Sequence, residues 1–176
     1  KLSYGIGTLG EPRIKYLASY LSLLGTDKKS FNEFHTRLQV LGSLMHFDSD
    51  DNHFIISISG FDKYFEETMV VLSDFLQNVK DDRKKLKSLV DDAKVGESAF
   101  FKSSHDIADA LFEYVQYGTK SQYLMKPSLK EIKKLKGHDL LDLFFSIQKV
   151  KCNFHYCGTR DASFVTDKIR RHIPLD

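Results

Sequence analysis

Imidazole and carboxylate side chains could bind a metal or move protons, and the best group of them lies on one predicted hairpin. His46, Asp48 and His53 stand on its polar face, across the turn from one another. Both side-chain types are zinc ligands, but a zinc site needs three or four ligands held by further hydrogen bonds. No fourth ligand or supporting partner accompanies these three residues. The polar face of an exposed hairpin therefore explains them better than a metal site does.

The nucleophilic side chains lack activating partners. Ser19 has no histidine or aspartate at a spacing that indicates a catalytic triad. Cys152 and Cys157 lie five residues apart on one predicted strand and face opposite sides of it, so a disulfide between them is not expected. No helix N-terminus is predicted near them to lower a thiol pKa. The sequence also lacks H-x-x-E-H, paired C-x-x-C, G-x-S-x-G and P-loop motifs.

A glycine motif, Gly5-Ile-Gly-Thr-Leu-Gly10, matches G-x-G-x-x-G between a predicted strand and a predicted helix. A dinucleotide site needs a second parallel strand after that helix, ending in an acidic residue. Here another helix follows. The motif is therefore interpreted as a strand-to-helix turn, and no nucleotide cofactor is expected.

Length and composition limit the other possibilities. The 176 residues suffice for one domain with its own core, and 41% of them are hydrophobic. The net charge of +2 gives no electrostatic footprint for nucleic acid, and no apolar run is long enough to span a membrane. The chain begins without Met or a signal peptide, directly with a predicted strand. We expect residues 1–176 to form a single domain excised from a longer chain, so targeting information is missing.

One helix, predicted from Pro12 to Gly25, organises the chain. Proline suits a first helical turn, and Gly25 is predicted to end the helix in a left-handed conformation. Most of its faces are apolar, which is typical of a central helix covered by other elements. Tyr16, Ser19 and Tyr20 share one face at the spacing that paired ligands would need. None of these three side chains is a strong metal ligand.

The remaining pattern predicts an α+β domain, an antiparallel sheet with helices packed mainly on one face. Capping boxes at Ser30–Glu33 and Ser128–Glu131 predict two helix starts. A helix over 104–117 is predicted to turn Ile107, Ala108, Leu111, Phe112 and Val115 inward. The helix that follows Asp81-Asp82 is predicted to pause near Gly96, and the last helix to run until Pro174. The predicted strands are Leu2–Ile6, Leu44–Asp48, Phe54–Ser59 and Lys151–Tyr156.

Several phrases in this order resemble one domain of the insulinase/pitrilysin-type zinc peptidases, which include mitochondrial processing peptidase. Gly25-Thr-Asp-Lys28 is similar to the Gly-Thr-Lys phrase that follows the family's H-x-x-E-H helix. Leu41-Gly-Ser43 before the hairpin is similar to Leu-Gly-Gly. Tyr117-Gly-Thr-Lys-Ser-Gln-Tyr123 is similar to the Tyr-Gly-x-x-x-x-Tyr loop, and Gly158-Thr-Arg-Asp161 is similar to the closing Val-Gly-Asp-x-Asp. The resemblance covers nearly the whole chain.

The sequence departs from this family at its catalytic residues. Counted back from Gly25-Thr26, the two histidines and the glutamate of H-x-x-E-H fall on Tyr16, Ser19 and Tyr20, and the later glutamate ligand falls near Asp91 or Asp92. A lone carboxylate cannot hold zinc or activate a water. The resemblance therefore implies a domain with no catalytic residues and no cofactor of its own.

The resemblance also implies a role and partners. Family members build a peptide-enclosing chamber from two halves of two similar domains each, and only one half carries zinc. We expect this chain to be a domain of the non-catalytic half, with the zinc-bearing half and peptide substrate as partners. The alternative is a degenerate paralogue that acts as a protein-binding or scaffold subunit. The resemblance is compatible with the periplasm or envelope of a bacterium, although members are also cytosolic or mitochondrial.

Overall fold

A four-stranded antiparallel sheet forms the base of the domain in the computed structural model, which describes residues 1–173. The spatial order of the strands is β2-β3-β1-β4. Each strand pairs antiparallel with its neighbours. The α+β prediction is confirmed. The strands are β1 (Leu2–Tyr4), β2 (Leu44–Ser49), β3 (Phe54–Ser59) and β4 (Cys152–Phe154).

The register places the apolar strand residues on one face. Leu2 lies opposite both Ile56 and Phe154, and Phe47 also lies opposite Ile56. Alternate residues of β2, such as His46, point the other way and are exposed. This alternation follows from the two-residue period of a strand with one buried face.

Nine α-helices pack with the sheet within residues 1–173. Buried aromatic residues of three of these helices meet the sheet around Phe75, whose ring lies 5.0 Å from Phe34, 5.2 Å from Phe47 and 6.5 Å from Phe144, measured between ring centroids. The helices are α1 (Ile14–Leu21), α2 (Phe31–Val40), α3 (Phe65–Asn78), α4 (Arg83–Phe100), α5 (Ser104–Tyr117), α6 (Gln122–Met125), α7 (Leu129–Ile132), α8 (Gly137–Ile147) and α9 (Ala162–His172). None of these helices combines the length and apolar composition needed to cross a bilayer.

Both predicted capping boxes are present. The Ser30 hydroxyl accepts a hydrogen bond from the Glu33 N–H, and the Glu33 carboxylate accepts one from the Ser30 N–H at 2.8 Å. Ser128 and Glu131 repeat this arrangement at the start of α7. These local signals were readable because capping depends on residues only three positions apart.

The central helix is shorter than predicted, and Gly25 does not end it in a left-handed conformation. Among the described residues only Gly42 and Gly118 have positive φ. After α1 the chain tightens, with the Leu24 N–H donating to the Leu21 carbonyl at 3.2 Å. Gly25 serves a different need, since a Cβ there would lie 2.3 Å from the Lys29 carbonyl oxygen. The glycine permits close packing of the following loop.

Several other boundaries also differ from prediction. The outer strands β1 and β4 are three residues long, shorter than the predicted Leu2–Ile6 and Lys151–Tyr156. Helix α4 continues through Gly96, because one glycine costs a long helix only about 1 kcal/mol. The phrase from Tyr117 to Tyr123, which resembles a loop of the family, instead contains a 3-10 turn, Gly118–Lys120, and the start of helix α6. Pro174, the predicted end of the last helix, lies outside the described residues.

Helix α5 has the predicted bounds but not the predicted orientation. None of its residues is buried among residues 1–173. Leu111, Phe112 and Val115, predicted to point inward, are 61%, 66% and 82% exposed. The apolar pattern correctly predicted a helix, but it could not specify which surface covers the apolar side.

Candidate functional site

A cleft of about 730 Å³ lies beside α1. Its walls come from α1, from edge strand β2 with the turn that follows it, and from the segment around α6. The polar side chains that line it include Tyr16, Ser19, His46, Asp48, Asp51 and Gln122.

The three positions predicted to replace a catalytic motif are separated by the structure. Tyr16 and Ser19 line the cleft. Tyr20 is fully buried and does not line it. The Tyr20 hydroxyl contacts the Asp81 carboxylate and accepts a hydrogen bond from the Asp82 N–H at 2.9 Å. Tyr20 therefore joins α1 to the start of α4, where Asp82 is the N-cap residue.

The cleft hydroxyls have ordinary environments. The Ser19 hydroxyl donates to the Lys15 carbonyl oxygen at 3.2 Å, one helical turn back. Partial burial raises the pKa of Tyr16, and the negative charge of Glu97 adds to this effect. Both causes favour the neutral phenol, so neither side chain is activated as a nucleophile or base.

The α4 carboxylate that raises the pKa of Tyr16 is Glu97, which lies about one to two helical turns beyond the predicted Asp91 or Asp92. Asp91 forms an ion pair with Lys94 at 2.5 Å, and the pKa of Asp91 is lowered mainly by that hydrogen bond. Asp92 is exposed and does not line the cleft. Because α4 was predicted to be interrupted near Gly96, the prediction did not place Glu97 beside α1.

The hairpin residues weighed as a metal cluster and judged to be ordinary polar side chains do not converge. His46 and Asp48 line the cleft from the exposed face of β2, whereas the His53 ring lies 3.3 Å from the Asp50 carboxylate. Asp50 caps the turn by accepting hydrogen bonds from the N–H groups of Asn52 and His53, which lower its pKa. Within residues 1–173 no group of three or more His, Cys, Asp or Glu side chains is placed to share a metal ion.

A polar bridge links two walls of the cleft. The Gln122 side-chain amide donates to both carboxylate oxygens of Asp51, at 2.8 and 2.9 Å. The Gln122 N–H donates to Glu113 of α5 at 2.5 Å. Gln122 thus links the hairpin turn to α5. No sequence signal pointed to this bridge, because its partners are 71 residues apart and of common types.

The glycine motif supports the same turn. The N–H groups of Thr8 and Leu9 donate to the carbonyl oxygens of Asp50 and Asp51, at 2.9 and 3.0 Å. A Cβ at Gly7 would lie 2.4 Å from three backbone atoms of the turn. The motif therefore packs the chain against the hairpin, in agreement with its interpretation as a turn.

A second hydrogen-bonded cluster, centred on Asp62, holds the segment at 158–161 in place. The sequence pattern did not predict it. The Asp62 carboxylate accepts hydrogen bonds from the Tyr156 hydroxyl at 2.7 Å and from both the N–H and the hydroxyl of Thr159 at 2.6 Å. The Thr159 bonds are the largest cause lowering the Asp62 pKa to about 2. The phrase at 158–161 is therefore fixed to the 3-10 turn that precedes α3, Asp62–Tyr64, and not to the cleft.

Hydrogen-bonding side chains line the cleft beside a strand edge that is unpaired in the described part of the chain. It offers neutral hydroxyls, scattered carboxylates and the outer edge of β2, which has no strand partner among residues 1–173. Unpaired strand edges bind extended peptides through main-chain hydrogen bonds.

Comparison with known proteins identifies solved structures that share this fold. No family model and no curated protein matches the sequence. Solved structures do match. A mutant of the ferredoxin protease FusC, in complex with Arabidopsis ferredoxin, superposes with a TM-score of 0.80 and 12% identity over 99% of this chain and 20% of that one. The peptidase M16 inactive domain from Pseudomonas fluorescens gives 0.68 and 14% over 81% of this chain and 36% of that one.

The periplasmic protease PqqL from Escherichia coli matches both whole and in part. Its structure gives a TM-score of 0.79 and 11% identity over 98% of this chain and 20% of PqqL. Its first half alone gives 0.73 and 9% over 98% and 40%. The chain has the fold of an M16, insulinase-type peptidase domain. It spans about one fifth of the length of FusC and of PqqL.

Proposed function

We propose that this chain is a catalytically inactive domain of a zinc metallopeptidase, and that it helps to enclose peptides in a chamber opposite the zinc-bearing half. The observation that carries the proposal is the chemistry of Tyr16, Ser19 and Tyr20 in a fold shared with M16 peptidases. Two hydroxyls face the cleft, and the third residue is committed to the core contact with Asp81. None of them is an imidazole or thiolate that would hold zinc, and none is a carboxylate that would activate water.

The solved relatives support this assignment. One of them is described as an inactive domain, and FusC and PqqL are described as proteases. In each of these three structures the matched part is well under half of the chain. We infer that this domain likewise works beside other domains of one polypeptide, one of which supplies the zinc. A periplasmic location is part of the proposal, by analogy with PqqL.

The test compares metal content and peptide cleavage. The 176-residue chain is expected to contain no stoichiometric zinc and to cleave fluorogenic peptides no faster than buffer. The complete polypeptide that carries it is expected to contain zinc and to cleave. Its Tyr16→Phe and Ser19→Ala variants are expected to keep the parent kcat, because neither side chain is assigned a catalytic role. One tightly bound zinc per 176-residue chain, with turnover abolished by a chelator, would refute the proposal.

A second function, a protein-binding or scaffold subunit without a peptidase partner, is favoured by the open edge of β2 beside the cleft. The two functions differ in what the complete polypeptide contains. An H-x-x-E-H motif in the same chain or in an adjacent reading frame supports the peptidase domain. Absence of the motif from both places, together with peptide binding but no cleavage, supports the scaffold.

A further inference from the structure

One side of α5 carries an apolar stripe that is largely exposed to solvent. We define the α5 stripe as Leu111, Phe112, Tyr114 and Val115. With about 100° between successive helical residues, these four cover roughly 160° of one side of the helix. They are 61%, 66%, 49% and 82% exposed. The opposite side faces the cleft, where Glu113 accepts the hydrogen bond from Gln122.

The α5 stripe exposes a large apolar area to water. With about 200 Å² for a fully exposed large apolar side chain, its four members leave on the order of 500 Å² of surface in water. The largest apolar patch on a typical monomer measures roughly 300–600 Å² in total and is often functional. Each of the other helices of eight or more residues buries at least one side chain, and α5 buries none within residues 1–173.

The area of the stripe discriminates between the possible occupants. A stable complex of separate chains buries about 800 Å² on each partner, more than the stripe provides. Contacts between domains of one chain bury about 600–1,500 Å² in total, and two faces the size of the stripe fall within that range. A tether raises the effective concentration of the partner to about the millimolar range, so a smaller interface suffices.

The lengths of the solved relatives point the same way. This chain matches 98% of its own length but only 40% of the first half of PqqL, so a second domain of similar size fits in that half. Resting on the proposed function, we propose that the α5 stripe is the face that packs against an apolar helical surface of another domain in the same polypeptide. It is an interface, not part of the peptide-binding surface.

Photo-crosslinking in the complete polypeptide tests this inference. Benzoylphenylalanine replaces Leu111 in one variant and Val115 in another, since an apolar aromatic probe preserves the character of the stripe. Asp109, exposed and roughly 160° around the helix from Leu111, is the matched control position. After irradiation, mass spectrometry identifies the attached peptide. A mixture of ¹⁴N- and ¹⁵N-labelled protein separates links within one polypeptide from links between copies.

The expected result is attachment from Leu111 and Val115 to segments of the same polypeptide outside residues 1–176, at several times the yield from Asp109. Four results would overturn the inference: attachment to a second copy, attachment to added peptide substrate, equal yield from Asp109, or no attachment. Cleavage is measured separately on the same samples. A polypeptide that crosslinks as expected but has no peptidase activity refutes the proposed function alone, and one that cleaves without these crosslinks refutes the interface alone.

Discussion

Replacing Tyr20 by Phe removes a single hydroxyl that joins α1 to α4. The ring stays buried, so packing is preserved and only the polar contacts are lost. The hydroxyl contacts the Asp81 carboxylate, lies 3.1 Å from the Asp82 carbonyl oxygen and accepts a hydrogen bond from the Asp82 N–H at 2.9 Å. Asp82 also caps α4 by accepting from the N–H groups of Lys84 and Lys85. The substitution therefore weakens the contact between α1 and the N-terminus of α4.

These contacts determine the size of the loss in stability. A hydrogen bond to a charged group contributes about 1.5–3 kcal/mol to the free energy of unfolding, and a neutral one about 0.5–1.5 kcal/mol. Asp81 and Asp82 are exposed, so water can replace part of what the phenol supplied. We expect Tyr20→Phe to lower the free energy of unfolding by about 1.5–2 kcal/mol. For a domain of this size that corresponds to a fall in Tm of roughly 3–8 °C.

Urea denaturation at pH 7 measures the change, and Tyr16→Phe is the matched control. Tyr16 is a half-buried tyrosine on the same helix, and its hydroxyl has no hydrogen-bond partner among residues 1–173. Its loss is expected to change the free energy of unfolding by less than about 0.5 kcal/mol. Equal effects of the two substitutions, or a Tyr20→Phe effect below about 0.5 kcal/mol, would refute the structural role assigned to Tyr20.

The alkaline pH dependence gives a second readout of the same contact. Burial, followed by the hydrogen bond to Asp81, raises the pKa of Tyr20 above its usual value near 10. Above that pH the unfolded chain loses a proton that the folded chain keeps. The stabilising contribution of Tyr20 is therefore complete below about pH 10 and is lost as the pH rises further. Tyr20→Phe is expected to flatten the stability profile above pH 10.

Three further predictions test other parts of the fold. Gly7→Ala is expected to lower the free energy of unfolding by at least about 2 kcal/mol in urea melts, because its Cβ would meet three backbone atoms of the turn at 2.4 Å. Gly10→Ala is the control and is expected to be tolerated, since the nearest atom to its Cβ lies at 3.7 Å. Equal effects of the two substitutions would contradict the packing role of Gly7. The pKa of Asp62, lowered to about 2, predicts stability that is present above pH 4 and lost as the pH falls towards 2, and Asp62→Asn should remove that acid dependence in melts from pH 7 to pH 2. Phe75→Ala is expected to cost about 3–5 kcal/mol by calorimetry or urea denaturation, since three aromatic rings pack against its fully buried side chain. Phe101→Ala is its control, because the Phe101 side chain is 68% exposed.

Local signals made much of the architecture predictable. The hairpin of β2 and β3 was readable from strict alternation, and its second strand, Phe54–Ser59, has the predicted bounds. The two capping boxes fixed the starts of α2 and α7. The outer strands came out too long because their ends depend on where neighbouring strands stop, which no local pattern records.

The site was less predictable because its geometry depends on contacts distant in sequence. Helical spacing placed Tyr16, Ser19 and Tyr20 on one face, but that face straddles the boundary between cleft and core. The partner that draws Tyr20 inward, Asp81, is 61 residues away. The bridge from Gln122 to Asp51 spans 71 residues. Periodicity reports the side of a helix, whereas only the assembled fold decides what covers that side.

The same reasoning explains why α5 was predicted inside the domain and lies on its surface. Its apolar stripe satisfies the pattern of a buried helix, and the pattern carries no information about whether the covering surface belongs to the same domain. Within residues 1–173 that surface is absent, while the cleft side of α5 is occupied by the bridge to Gln122. Because α5 carries both the stripe and Glu113, a change at the interface is expected to reach the cleft wall through this helix. If the α5 stripe is the interface proposed above, a charged substitution such as Val115→Glu should change peptide binding or cleavage by the complete polypeptide without touching the cleft. An unchanged KM and kcat for that variant would show that the interface and the cleft act independently.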